Sequence, residues 1–168
     1  MKTDLNWYVV YTMPKGERKV ASSLANLGVE SYLPLHYVIR RWSDRMKKLE
    51  VPLFPNYVFV KMDRAMRKHA FAIREFVKFV SIDKDPVVVR ESEILTIKKI
   101  LNETNTDIMP EDYFQNGMKI RIEHGQFAGV EGIIVGKSNS ARLIVKVEGL
   151  MKAFSFNVPA HLAHAVLS

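Results

Sequence analysis

Four short β-branched runs, at residues 119–122, 132–135, 143–147 and 153–158, recur in the C-terminal third of this chain with glycine or polar turns between them. Runs of that length and spacing fit antiparallel strands closed into a small barrel. A helical form of the same segment is disfavoured by its residues. Ile120, Ile122, Val130, Ile133, Ile134, Val135, Ile144, Val145 and Val147 prefer strands, and the glycines at 125, 129, 132, 136 and 149 would each cost a helix up to about 1 kcal/mol relative to alanine. A β module is expected here.

The N-terminal part reads as mixed. Residues 6–12 are aromatic and β-branched, which predicts a strand, and Pro14 suits the first turn of a helix that carries Val20, Leu24 and Leu27 and stops at Gly28. A short strand at 29–33 ends at Pro34. Tyr37 to Met62 reads as one long hairpin, with arms at 37–41 and 57–62 and a basic tip at 43–48. A helix at 64–74, a strand at 77–82, Val87-Val88-Val89 after Pro86, and a helix at 91–102 with acids in its first turn complete the pattern. Periodicity fails between Glu103 and Tyr113. The expected architecture is α+β: a mainly antiparallel sheet with flanking helices at 5–103, a linker at 104–113, and a small barrel at 114–168.

The charge is unevenly placed. Of the formal +7, all belongs to residues 1–104, with nineteen Lys and Arg against twelve Asp and Glu; residues 105–168 have six of each. A basic module followed by a neutral one suggests that the first approaches a polyanion. The absence of cysteine excludes disulfides and thiolate chemistry. No apolar run reaches the roughly 18 residues of a bilayer span, and the start has no apolar core of a secretion signal, so a cytoplasmic protein away from membranes is expected. His161 and His164 are three apart without acidic companions, and no phosphate loop or nucleophile elbow occurs, so neither metal, cofactor nor catalysis is indicated.

Two constellations suggest binding. Pro52-Leu53-Phe54-Pro55-Asn56-Tyr57-Val58-Phe59-Val60 sets an aromatic cluster at the mouth of a strand, where the prolines take Phe54 out of the ladder and could turn its ring toward a partner. The alternative is that helices cover both faces of the strand. Just before it, Arg40, Arg41, Arg45, Lys47 and Lys48 surround Trp42, a mixture suited to phosphates and an unpaired base, or else a solvated hairpin end. Lys15, Arg18 and Lys19 add a second basic group on the first helix.

With Trp7-Tyr8-Val9-Val10-Tyr11 and Gly125-Gln126-Phe127-Ala128-Gly129, these stretches resemble the NusG family of transcription elongation factors, and the unbroken Pro52–Tyr57 string is similar to specialised paralogues of the RfaH and UpxY kind. The resemblance covers nearly the whole chain. It implies an NGN domain followed by a KOW domain of SH3-like barrel form, and a monomer. It also implies that Tyr11, Phe54, Pro55, Tyr57, Phe59, Ile94 and Ile97 grip the clamp helices of the RNA polymerase β′ subunit. The basic group on the first helix would face the non-template DNA strand, though Met13 and Pro14 stand where RfaH is basic. Lys68-His69-Ala70-Phe71 falls where RfaH-like proteins touch the polymerase β gate loop, without their hydroxyl donors.

Gly125, Phe127, Gly129 and Gly132 match the KOW motif as structural residues. Leu150, Met151 and Lys152 match the turn that meets ribosomal protein S10 or Rho. The implied role is antitermination: bridging the clamp, resisting pausing, and ordering non-template DNA. RfaH-like proteins can hide their polymerase-binding face behind a KOW region refolded as a helical hairpin, but the β-branched residues and glycines of this segment favour the barrel, so an open docking face that needs no DNA signal to release it is expected here. Two alternatives are a KOW-type RNA-binding or ribosome-associated protein, and the general NusG itself.

Overall fold

A continuous apolar run in the first strand, Trp7 to Tyr11, suits a strand covered on both faces. In chain order the elements are β1 (Asn6–Thr12), α1 (Glu17–Asn26), β2 (Glu30–Tyr32), β3 (Leu35–Arg41), β4 (Met46–Pro52), β5 (Tyr57–Met62), α2 (Arg67–Ala70), β6 (Phe76–Phe79), β7 (Ser81–Ile82), β8 (Asp85–Pro86), β9 (Val88–Val89), α3 (Glu91–Glu103), β10 (Met109–Glu111), β11 (Met118–Arg121), β12 (Glu131–Val135), β13 (Ala141–Val147) and β14 (Lys152–Val158). The structure, a computed structural model, describes residues 4–136, 141–159 and 161. Two compact units share the chain: one is the chain up to Leu35 with Val51–Ile94, the other His36–Glu50 with the chain from Leu95 on.

In the first unit β1 is central. β5 pairs antiparallel along one edge, from Asn6↔Met62 to Tyr11↔Tyr57, while β6 and β9 share the other edge and β2 lies outside β5. Tyr8 and Val10 of β1 and Val58, Val60 and Met62 of β5 join Val20 and Leu24 of α1, with Ile73, Phe76 and Phe79, in one buried cluster. By register, Trp7, Val9 and Tyr11 share the opposite face with Lys61, Phe59 and Tyr57. There the Trp7 indole Nε1 donates to Glu91 Oε2 at 2.7 Å, and Lys61 Nζ lies 3.0 Å from the same carboxylate, which opens α3. Both faces of β1 are therefore occupied.

α1 ends as its sequence predicts: Gly28 has φ 71°, its N–H donates to Ala25 O, and Val29 N–H donates to Leu24 O. Its start differs. Lys15 at φ 61° and Gly16 N–H on Met13 O form a separate turn, so the helix begins at Glu17 instead of Pro14. The expected helix at 64–74 is also shorter. After the four residues of α2, successive turns closed by Ala72 N–H to His69 O, Ile73 N–H to Ala70 O and Phe76 N–H to Ile73 O bring Ile73 and Phe76 inward while Phe71 stays exposed. The strand expected at 77–82 divides, because Ser81 and Ile82 pair with Pro86 and Asp85 across Asp83 and Lys84, both at positive φ.

The long hairpin is corrected. β3 pairs with β4, and Trp42 N–H donates to Arg45 O at 2.8 Å to close a tight turn, whereas β5 belongs to the first sheet. Lys47 and Lys48 thus lie on a strand, not at the tip.

In the second unit the strand order is β10-β14-β13-β12-β11, an antiparallel meander whose first strand pairs beside its last. Ile120, Leu143, Phe154 and Phe156 are fully buried, and the rings of Phe127 and Phe156 lie 4.7 Å apart. The segment expected to be a linker contributes β10. Its placement has a side-chain cause: the Arg142 guanidinium donates to Asp107 Oδ1, Asn157 Oδ1 and Ser155, while Ser155 Oγ donates to Glu111 Oε1 at 2.6 Å. Asp107 Oδ2 in turn accepts Asn157 N–H at 2.9 Å.

Candidate interaction surfaces

The turn that carries Phe54 and Pro55 is clamped from several sides. Leu53 N–H donates to Pro34 O, Tyr57 N–H to Phe54 O, and Thr12 N–H to Asn56 O. Asn56 takes φ 72°, a conformation asparagine tolerates better than most residues, and its own N–H donates to Glu17 Oε1 at 2.8 Å. Sequence reasoning missed Glu17, which is buried, and Asn56; an asparagine between a proline and a strand was the available signal.

This turn points the Phe54 ring inward. Phe54 is 4% exposed and edge-on to Phe59 at 6.2 Å, and Phe59 stacks on Tyr32 at the same separation. Phe59, Ile94 and Ile97 are fully buried. The expected open aromatic ledge is therefore reduced to Pro55, which is exposed, and the half-buried pair Tyr11 and Tyr57, whose rings meet edge-on at 5.4 Å. The prolines do remove Phe54 from the ladder, but the ring follows the core. Burial, then the neighbouring Tyr11, raises the Tyr57 phenol above its usual range, and burial raises that of Tyr32.

The basic residues are on the surface as expected. Arg40, Arg41, Arg45 and Lys48 are exposed and Lys47 is half-buried. Lys47 Nζ lies 4.4 Å from the centre of the Trp42 ring and Lys48 Nζ lies 4.1 Å from that of Tyr37, so each strand lysine covers an aromatic while the residue Trp42 stays 47% exposed. A hydrogen bond with Glu50 raises the Tyr37 phenol. Lys15, Arg18 and Lys19 are also exposed, with Lys19 3.6 Å from Glu75.

In the second unit, Gly125 and Gly129 adopt positive φ around the buried Phe127, and Gly129 N–H closes the turn on Ile122 O at 2.7 Å. Gly132 is required for space: a Cβ there would lie 2.4 Å from Ile144 O. At the far turn Leu150 is buried, so only Met151, at φ 51°, and Lys152 remain of the expected partner edge. His69 and His161 are exposed, and His164 lies outside the described residues. Among the described residues no three His, Cys, Asp or Glu side chains are grouped to hold a metal ion, and no helix is long and apolar enough to cross a membrane.

The family model described as transcription termination factor NusG matches residues 5–98, more than half of the chain. The chain belongs to the NusG family. The transcription termination/antitermination protein NusG of Helicobacter pylori strain ATCC 700392 / 26695 is 22% identical over 173 residues, covering 96% of each chain. The protein of the same name from Escherichia coli strain K12 is 26% identical over 140 residues, or 76% of this chain and 77% of that one. Among solved structures, one described as domain interaction in Thermotoga maritima NusG aligns over 97% of both chains with a TM-score of 0.52 at 23% identity, and shows the shared fold. The NusG-family assignment and the α+β fold agree with the resemblance read from the sequence.

Proposed function

We propose that this NusG-family chain is an elongation and antitermination factor that docks on the clamp helices of the RNA polymerase β′ subunit. The observation that carries the reading is the Tyr11–Tyr57 pair beside the exposed Pro55, on a turn tied to α1 by the Asn56 N–H to Glu17 hydrogen bond. Phe59, buried on the same face of β5 as Tyr57, and Phe54, edge-on to it, continue the aromatic cluster inward. A preformed aromatic surface is a suitable anchor because little order is lost when a partner covers it.

The cations of the β3–β4 hairpin and of α1 would hold the non-template DNA strand, and Met151 with Lys152 would meet a second partner such as ribosomal protein S10 or Rho. The specialised, RfaH-like or UpxY-like role rests on the Pro52–Tyr57 string. The test is binding to core RNA polymerase. Tyr57→Ala and Tyr11→Ala, each with an unchanged circular dichroism spectrum, are expected to weaken binding at least about tenfold, the effect of losing an interfacial aromatic anchor. Unchanged affinity in both variants removes the docking assignment, and RNA binding without polymerase binding would favour an RNA-binding role.

A further inference from the structure

Phe71 is 66% exposed, yet its ring is held edge-on by two core aromatics, 5.1 Å from Phe76 and 6.0 Å from Phe79. It lines a concavity of about 450 Å³ together with Arg64, Arg67, Lys68, Lys78 and Ser81. Four of the lining residues are cationic and none is acidic. Arg67 is oriented in advance, its guanidinium carbon lying 5.2 Å from the centre of the Tyr8 ring. Neither the docking surface nor the hairpin uses any of these residues, although Lys68 and Phe71 lie in the segment that the family resemblance sets against the polymerase β gate loop.

We propose that this concavity is a site for a free nucleoside polyphosphate, with the base stacked on Phe71 and the phosphates held by Arg64, Arg67, Lys68 and Lys78. Three features favour such a ligand. Like-charged side chains facing one hollow repel one another until an anion of comparable charge enters, and arginine matches phosphate oxygens through paired N–H donors. An exposed ring fixed by its neighbours gives a planar base a stacking platform. The volume falls in the range of about 300–1,000 Å³ typical of small-molecule pockets. A single hollow ringed by cations, instead of a track of them, suits a mononucleotide better than a strand.

The experiment is calorimetry of the full chain with ATP, GTP, inorganic tripolyphosphate and a 5′-phosphorylated oligo-dT. One saturable site for a nucleoside triphosphate is expected. Phe71→Ser should weaken it at least about tenfold and leave the weaker tripolyphosphate binding unchanged, as loss of one stacked base implies. The double variant Lys68→Gln/Lys78→Gln should weaken both ligands. All three positions are exposed, and dichroism checks that the fold persists. Absence of saturable binding overturns the proposal, as does wild-type affinity in both variants. Tripolyphosphate binding as tight as that of ATP or GTP removes the stacking role, and binding of the oligomer without the mononucleotides assigns the hollow to a strand. Clamp docking is tested separately by Tyr57→Ala, so failure of either assignment is recognisable by itself.

Discussion

Gly129 and Gly132 lie three positions apart and are needed for different reasons. At Gly129 nothing surrounds the missing Cβ and only its φ of 88° is unfavourable to other residues; at Gly132 the added carbon would overlap the Ile144 carbonyl and approach Leu143 Cγ to 2.9 Å. Gly129→Ala should therefore lose about 1–2 kcal/mol through backbone conformation. Gly132→Ala should lose about 1–3 kcal/mol by forcing β12 and β13 apart. Urea unfolding distinguishes them when combined with amide chemical shifts, since only the second variant should perturb β13. Unperturbed β13 shifts in Gly132→Ala would show that the strands yield without strain.

His36 gives a second prediction at this scale. It is 4% exposed, its Nδ1 has no partner among the described residues, and burial lowers its pKa below the usual 6.5. The unfolded chain then takes up a proton at a pH where the native chain does not. Stability is complete above the unfolded value and falls as the pH drops from there toward the lower native value. Urea midpoints at about pH 7.5 and about pH 5 should show this loss in the wild type and a smaller one in His36→Gln, because histidine alone titrates there when unperturbed. Equal losses in the two proteins would place the acid sensitivity elsewhere.

Among the elements, the β3–β4 hairpin has the clearest measurable consequence. Each phosphate contact to single-stranded DNA lost by neutralising Arg40, Arg41, Lys47 and Lys48 to glutamine should reduce the slope of log affinity against log salt by about 0.7. Binding to a bubble template measures this, and an unchanged slope would make the hairpin a solvated projection. The hairpin also shows where sequence reading stops. Met46–Pro52 and Tyr57–Met62 are both extended, and local pattern identifies a strand without naming its partner, so the sequence alone does not show that β3 pairs with β4 and not β5. By contrast α3 and β11 to β14 were legible within one or two residues, because helical spacing, β-branching and intervening glycines are local signals. The surfaces were legible in part. Cations are exposed for solvation reasons that composition reveals, but whether Phe54 faces out depends on the Glu17–Asn56 clamp and on Phe59, which only the folded chain brings together.

For the molecule as a whole, the charge division read along the sequence does not follow the structural units, because the basic His36–Glu50 segment groups with the C-terminal meander and not with the first sheet. Among the described residues the meander has five strands and no α-helix, with a 3-10 turn at Glu148–Leu150 between β13 and β14, and amide NMR of the intact chain should give strand shifts with slow exchange in β12, β13 and β14; α-helical shifts there would contradict the structure. Its strand order also has a consequence for biosynthesis. β14 stands between β10 and β13, so β10 leaves the ribosome with no edge to join until residues 152–158 follow it. At about 5–20 residues per second that interval is roughly two to nine seconds. Towards its end β13, once made, also presents a bare edge, and a message cut short before the codons for β14 would make the exposure permanent. Such a nascent chain is an aggregation template whose hazard is removed only by its last strand.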